Sequence, residues 1–288
     1  MSDSRFDVGA LFEGGAVRAS SGPGDGRLPS ALEAQIVTLG SACVALSGGV
    51  DSSLVLAAAA EVLGPDRVVA FTAASELLPP HELAAARALA ASLSVEHVVC
   101  ETDVDKDPVF AANGRDRCYI CKRHMLRTMS AVARDRDLET LADGVNHDDL
   151  GDVRPGLRAA DEYGVAHPLL AAGIGKAEVR SLAKRLGLAT WGAPQQACLA
   201  SRIPYGQQIT LEKLRTIAAA EGVLRELGFA QCRVRHHGSV ARIEVESGEI
   251  LRAAGMARAE IVSRLTAVGF THVSLDLTGF RSGSLNEG

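Results

Sequence analysis

Residues 44–53 read VALSGGVDSS: a short apolar run, a turn built on two glycines, then hydroxyl and acidic residues opening an Ala/Leu-rich stretch. A buried strand that runs through a glycine turn into a helix is the opening unit of an α/β fold. The glycines let the backbone turn tightly and present successive N–H groups, and the helix that follows aims its positive end at the same place. Ser47, Gly48, Gly49, Val50, Asp51 and Ser52 therefore form a candidate anion cradle, with Ser47 and Ser52 adding hydroxyl donors and Asp51 placed to hold a metal ion near phosphates. The Lys and spacing of a Walker A loop are absent. A tight strand–helix turn that simply requires glycine is the plainer alternative.

Outward from this turn the pattern repeats. Apolar runs at 43–47, 67–73, 96–100, 140–144 and 165–170 alternate with helical stretches at 52–64, 81–93 and 119–137. The first helix is expected to start at Ser52 as its N-cap and to stop at Gly64-Pro65. Continuous apolar strands alternating with helices predict a doubly wound parallel sheet, an α/β fold whose ligands gather at the carboxyl ends of the strands. A Gly/Ser-rich leader, 1–30, precedes it, with a helix expected over 31–40. The main domain is predicted over 31–200, and a smaller α+β domain over 201–288. There, 210–228 reads as a helix capped by Thr210, CRVRHH (232–237) and ARIEVE (241–246) as a hairpin around Gly238-Ser239, then a helix near 257–268 and a strand at 272–277.

At 288 residues, 47% hydrophobic and six scattered cysteines, the chain needs no disulfide framework. It opens without an apolar signal segment and contains no run of membrane-spanning length, so a cytoplasmic protein is expected. A net charge of −5 argues against a surface that grips nucleic acid and favours small-molecule chemistry.

Cys118 and Cys121, in RDRCYICKR (115–123), sit at i and i+3 on one helix face beside Arg117, Lys122 and Arg123, charges that favour thiolates. The pair suits zinc, a redox disulfide, part of an iron–sulfur cluster, or packing. Cys198 lies in a Pro- and Gly-bounded segment at the domain junction, beside Ser201 and Arg202. It suits a site that admits substrate, although a single cysteine is more often filler. Cys43, Cys100 and Cys232 read as core or incidental. Arg233 and Arg235 share one face of a strand, either as a clamp for phosphate or carboxylate or as an exposed basic edge; His236 and His237 read as solvated turn residues. Asp148, Asp149, Asp152, Arg154 and Arg158 follow the fourth strand on its ligand side.

The hexapeptide at 47–52 resembles the PP-loop of ATP pyrophosphatases, which cleave ATP to AMP and pyrophosphate. With RDRCYICK, DGVNHDDLGDVRPG (143–156), GKAEVRSLAKRLGL (175–188), ACLASRIPYG (197–206) and RVRHHGSVARIEV (233–245), the chain is similar to the LarE family from about 35 to 280. That resemblance implies an enzyme using ATP and Mg²⁺ to adenylate the carboxylates of a small mononucleotide, pyridinium-3,5-biscarboxylic acid mononucleotide. The products are thiocarboxylates for the nickel-pincer nucleotide of lactate racemase. Single-cysteine members sacrifice the sulfur of the cysteine matching Cys198. The CxxC pair resembles the other branch, in which Cys118, Cys121 and Cys198 would hold a [4Fe–4S] cluster with one iron open for a replaceable sulfide. Lys122, Arg202, Arg233 and Arg235 are then the expected substrate contacts, and a homo-oligomer is expected; the sulfide source is not identified. A PP-loop tRNA thiolase and a non-catalytic nucleotide-binding cluster sensor are the competing readings.

Overall fold

The computed structural model describes residues 28–151, 155–194 and 197–281, so all but the end of the leader, together with Asp152 and Arg154, lies outside them. Strand β1 (Ala42–Ala45) is central to a four-stranded parallel sheet. From β1 the chain passes through helix α2 (Val50–Leu63) to β2 (Val68–Ala74), then through α3 (Pro80–Ser92) to β3 (Glu96–Glu101). It then returns through the short α4 (Pro108–Ala111) and the long α5 (Arg117–Asp135) to β4 (Thr140–Ala142) on the far side of β1, giving the order β3-β2-β1-β4. The strand order reverses at β1, so its carboxyl end, where the glycine turn sits, is the switch point at which open α/β sheets bind ligands.

The pleat of β1 explains the two layers. Ala42 and Val44 point into a core with Leu32 and Ile36 of α1 (Ser30–Val37), Leu54 and Ala58 of α2, and Val179 and Leu182 of α8 (Lys176–Arg185). Cys43 points the other way, against Phe71, Leu126 and Met129, with Ala159 of α6 (Pro155–Glu162) in the same cluster. Burial pushes the Cys43 thiol up to about 12, the behaviour of an inert core cysteine.

Two sequence expectations are corrected. Residues 165–170 form no strand: Ala166 makes a single parallel bridge to Ala142, and Pro168 opens a short helix, α7 (Pro168–Ala171). Proline lacks the N–H a ladder needs and suits the first helical position. Helix α2 starts at Val50 with Gly49 as N-cap, because the Ser52 hydroxyl is used inside the turn instead of capping the helix.

In the C-terminal unit Thr210 caps α9 (Leu211–Glu226), its Oγ1 accepting from Lys213 N at 3.2 Å. Strands β5 (Cys232–His237) and β6 (Val240–Val245) pair antiparallel around Gly238. Strand β7 (His272–Leu275) lies parallel to β6, which requires the crossover made by α10 (Ile250–Ala254) and α11 (Arg258–Val268). A further apolar cluster joins Leu77, Phe110 and Ile120 to Leu199, Ile203 and Leu214, so packing is continuous across the boundary expected at 200/201. Among the described residues no helix is long and apolar enough to cross a membrane.

Candidate active site

The glycine turn is held by its own hydroxyls. Ser52 Oγ accepts from Ser47 N at 3.2 Å and donates to Gly49 O at 3.1 Å, and Ser47 Oγ accepts from Gly49 N at 3.3 Å. Gly48 has φ +83°, and a Cβ there would overlap the carbonyl oxygen of Glu82 and lie 3.0 Å from its carbon. Gly49 has an ordinary φ of −80°. Only one of the two glycines is therefore demanded by the backbone. Behind the turn, a Cβ on Gly144 would come within 2.5 Å of Ser52 N, so the chain leaving β4 also packs directly on the loop.

The turn opens into a cleft of about 1810 Å³ whose walls include Glu82, Lys122, Lys176, Cys121 and Cys198. Asp51 is ion-paired with Lys176 Nζ and accepts from Asn146 Nδ2 at 3.1 Å. Lys176 opens α8, whose first N–H donates to Asp148 Oδ2 at 2.7 Å. One carboxylate thus steers a helix so that its lysine enters the phosphate turn. The sequence reading missed Lys176 and Asn146; both lie in stretches that matched the family, and nothing in the local pattern marks them.

Lys122 lies on the same wall, its Nζ donating to Asp143 Oδ2 at 2.8 Å, while His167 Nδ1 lies 2.7 Å from Asp143 Oδ1. Burial alone would raise Asp143, but the Lys122 ammonium and the bond with His167 outweigh it and hold the carboxyl well below the usual range. Asp148 and Asp149 line the cleft, whereas Arg158 stacks on Tyr119, 3.9 Å from the ring centre, on exposed helix surface.

The three cysteines converge although some eighty residues separate the pair from the third. Asn113, fully buried at φ +58°, makes the junction. Its Nδ2 donates to the carbonyls of Ile203 (3.3 Å), Pro204 (2.8 Å) and Gln207 (2.9 Å), and Gly206 N donates back to Asn113 O at 3.1 Å. Arg117 Nη1 donates to Asn113 Oδ1 at 2.5 Å, and its guanidinium stacks on Tyr205 at 4.5 Å. The start of α5 and the segment after Cys198 are thereby fastened together, and Leu199 N donates to Leu77 O at 3.3 Å on the other side.

The expectation of thiolates at this site is corrected. Burial, then the charges of Cys198 and Cys118, push Cys121 up to about 12. Cys198 reaches the cleft surface, yet surrounding protein raises its thiol too, with Cys118 adding to the rise and Arg117 opposing it. Like charges packed together outweigh the helix N-terminus and the nearby cations. Among the described residues no three Cys, His, Asp or Glu side chains could hold a metal ion as they stand.

The arginines divide. Arg202 is fully buried, its Nε and Nη2 donating to the two oxygens of Glu221 at 2.7 and 3.1 Å and its Nη1 to Ala197 O at 2.6 Å. Arg235 is bound likewise to Glu244 at 2.9 and 3.0 Å, and its Nη1 donates to Ser201 O at 2.7 Å. Both guanidiniums are committed to buried carboxylates and brace the 197–202 segment against the second sheet, which corrects the expectation that they contact substrate. Arg233 is different: it stacks on Phe280 at 4.4 Å, its Nε has no partner, and burial beside Arg202 and Arg235 lowers it to about 10. Neither Arg233 nor Arg235 is an exposed basic edge, since both are buried. His236 is also buried, with Phe270 at 5.4 Å, and only His237 is a solvated turn residue.

Glu82 carries a consequence for stability. Its Oε1 is buried without a hydrogen-bond partner, and burial, outweighing Arg202 and Arg225, raises the carboxyl from 4.5 to about 7. A raised carboxyl stabilises the fold fully below its unfolded value and loses that contribution as pH rises through its folded value. Glu82→Gln is therefore expected to gain on the wild type between pH 5 and pH 8, by at most about 3 kcal/mol. Urea unfolding at both pH values measures this, and an unchanged difference between the two proteins would contradict it.

Comparisons agree with the geometry. The asparagine synthase family model, a PP-loop family, matches residues 25–126, which contain the glycine turn. Pyridinium-3,5-bisthiocarboxylic acid mononucleotide synthase of Lactiplantibacillus plantarum is 37% identical over 89% of this chain and 92% of its own. The chain belongs to the LarE family. An uncharacterized protein of Synechocystis sp. is 43% identical over 85% of this chain and 91% of its own, and one of Methanocaldococcus jannaschii is 31% identical over 59% and 66%. This LarE-family chain is an ATP-using PP-loop enzyme, and the family supports ATP-dependent sulfur transfer.

Proposed function

We propose that this LarE-family enzyme adenylates the carboxylates of pyridinium-3,5-biscarboxylic acid mononucleotide and converts them to thiocarboxylates, the sulfur chemistry of the nickel-pincer nucleotide of lactate racemase. The observation that carries the reading is that the PP-loop and Cys121 and Cys198 line one cleft. The L. plantarum relative is named for the bisthiocarboxylic product.

The N–H groups of 47–52 and the Lys176 ammonium bind the phosphates of ATP, and Asp51 takes Mg²⁺ when the nucleotide displaces its lysine partner. Attack of a substrate carboxylate oxygen on the α-phosphorus expels pyrophosphate and leaves AMP as the leaving group for sulfur. Lys122 on the cleft wall and Arg233 in the C-terminal unit, whose Nε is unpaired, are the cations that orient the anionic substrate. Arg202 and Arg235 hold the Cys198 segment in place.

Cys118, Cys121 and Cys198 fit a [4Fe–4S] cluster better than a single ion. The thiols are near enough to raise one another, yet are not grouped to hold one metal, and a cubane takes its thiolates at separate corners. When bound, such a cluster with three protein thiolates supplies an open iron at which a replaceable sulfide can be carried. A homo-oligomer and a substrate-holding role for 201–288 complete the proposal.

The test is anaerobic purification with iron and sulfide analysis, then incubation with ATP, Mg²⁺ and the pyridinium dicarboxylate. Substrate-dependent AMP and repeated thiocarboxylate formation by an iron-loaded protein are expected. One turnover with loss of one sulfur and two hydrogens from Cys198 would replace the cluster by a sacrificial route. Absence of substrate-dependent AMP would overturn the function.

A further inference from the structure

Arg117 is 4% exposed and carries a full charge. Among the described residues no carboxylate pairs with it: its one hydrogen bond goes to the neutral amide oxygen of Asn113, and its face lies on Tyr205. This is unlike the other deeply buried guanidiniums of the same region. Arg202, at 0% exposure, and Arg235, at 2%, are each bound by both oxygens of a buried carboxylate. A buried cation without a counter-charge costs several kcal/mol, so its retention calls for an anion that the bare polypeptide does not show.

The neighbouring groups able to become anionic are the cysteines. Arg117 precedes Cys118 directly, and its charge acts on Cys198 across the junction. Asn113 cannot turn its amide to release the guanidinium, because its nitrogen is committed to three carbonyls of the 203–207 loop. The guanidinium is thus locked beside the cysteines before any group arrives. We propose that Arg117 is the built-in counter-charge of the anionic sulfur centre formed by Cys118, Cys121 and Cys198, positioning and retaining the group those thiolates hold. The inference rests on the cluster reading above and assigns a role that reading leaves open. Three thiolates make such a centre net negative, and a fixed, weakly hydrated cation in a low-dielectric wall stabilises it without reorganising.

The experiment compares wild type, Arg117→Gln and Arg117→Lys, each as the full chain, iron-free and anaerobically iron-loaded. Iron-free Arg117→Gln is expected to melt no lower than wild type, since it removes an uncompensated charge. Iron-loaded Arg117→Gln is expected to lose iron to a chelator at least tenfold faster, with a more negative midpoint potential, and Arg117→Lys to lie between. Equal destabilisation of both forms would mean a purely structural arginine and would overturn the inference. So would wild-type retention and potential in loaded Arg117→Gln, with the cluster reading left intact. A wild type that takes up no iron would overturn both.

Discussion

Cys198→Ala is expected to reduce thiocarboxylate formation by about 10³-fold or more while pyrophosphate release on adding ATP and substrate continues. The separation follows from the geometry. No hydrogen bond of the PP-loop, Asp51 or Lys176 involves Cys198. The local backbone is held by other groups: Leu199 N donates to Leu77 O, and the buried Arg202 guanidinium binds the carbonyl of Ala197. Removal of one sulfur from a residue at the cleft surface therefore leaves the fold and the adenylating half intact. Bound iron should fall as well, since two thiolates from one helix hold a cluster poorly without the third from across the junction. A Cys198→Ala protein with a full complement of iron and repeated sulfur transfer would remove this cysteine from the chemistry. Cys100→Ala, at a half-buried position on β3, should behave as wild type.

Gly48→Ala should be the most damaging single-methyl change in the ATP site. Two penalties coincide there. A left-handed φ of +83° costs an L-residue about 1–3 kcal/mol, and the new Cβ falls on the Glu82 carbonyl at the start of α3. Either the turn or the first turn of α3 must move, and a displacement of about 1 Å at a phosphate cradle is worth roughly 10²-fold in rate. The melting temperature should fall by several degrees and ATP-to-AMP conversion by about 10²-fold or more. Gly49→Ala is the control: its φ is ordinary and its Cβ meets only Ser47 Oγ at 3.3 Å, so less than about 1 kcal/mol is expected. Equal effects at the two glycines would show that the hydroxyl lattice, not the Gly48 backbone, shapes the turn.

What the sequence by itself determined is the local and periodic part of this protein. The run from Cys43 to Gly64 dictated a buried strand, a glycine turn and a helix, because residue size and backbone freedom act over a few positions. The order of strands and helices implied a parallel sheet, and with it a ligand site at the end of β1. Thr210 as a cap and the 232–246 hairpin were legible for the same reason. Proline at 168 was equally visible, and its missing N–H marked the fifth apolar run as something other than a strand.

Only the tertiary structure decided which charges are free. Arg202, Arg235 and Arg117 are all arginines beside candidate site residues, and nothing local separates them. Glu221 and Glu244 arrive from α9 and β6 to neutralise the first two, and no described carboxylate reaches the third. Burial and partners are set by segments far apart in the chain. For that reason the sequence named the cysteines, while the fold decided that they meet, that their thiols are held protonated, and which cation stands beside them.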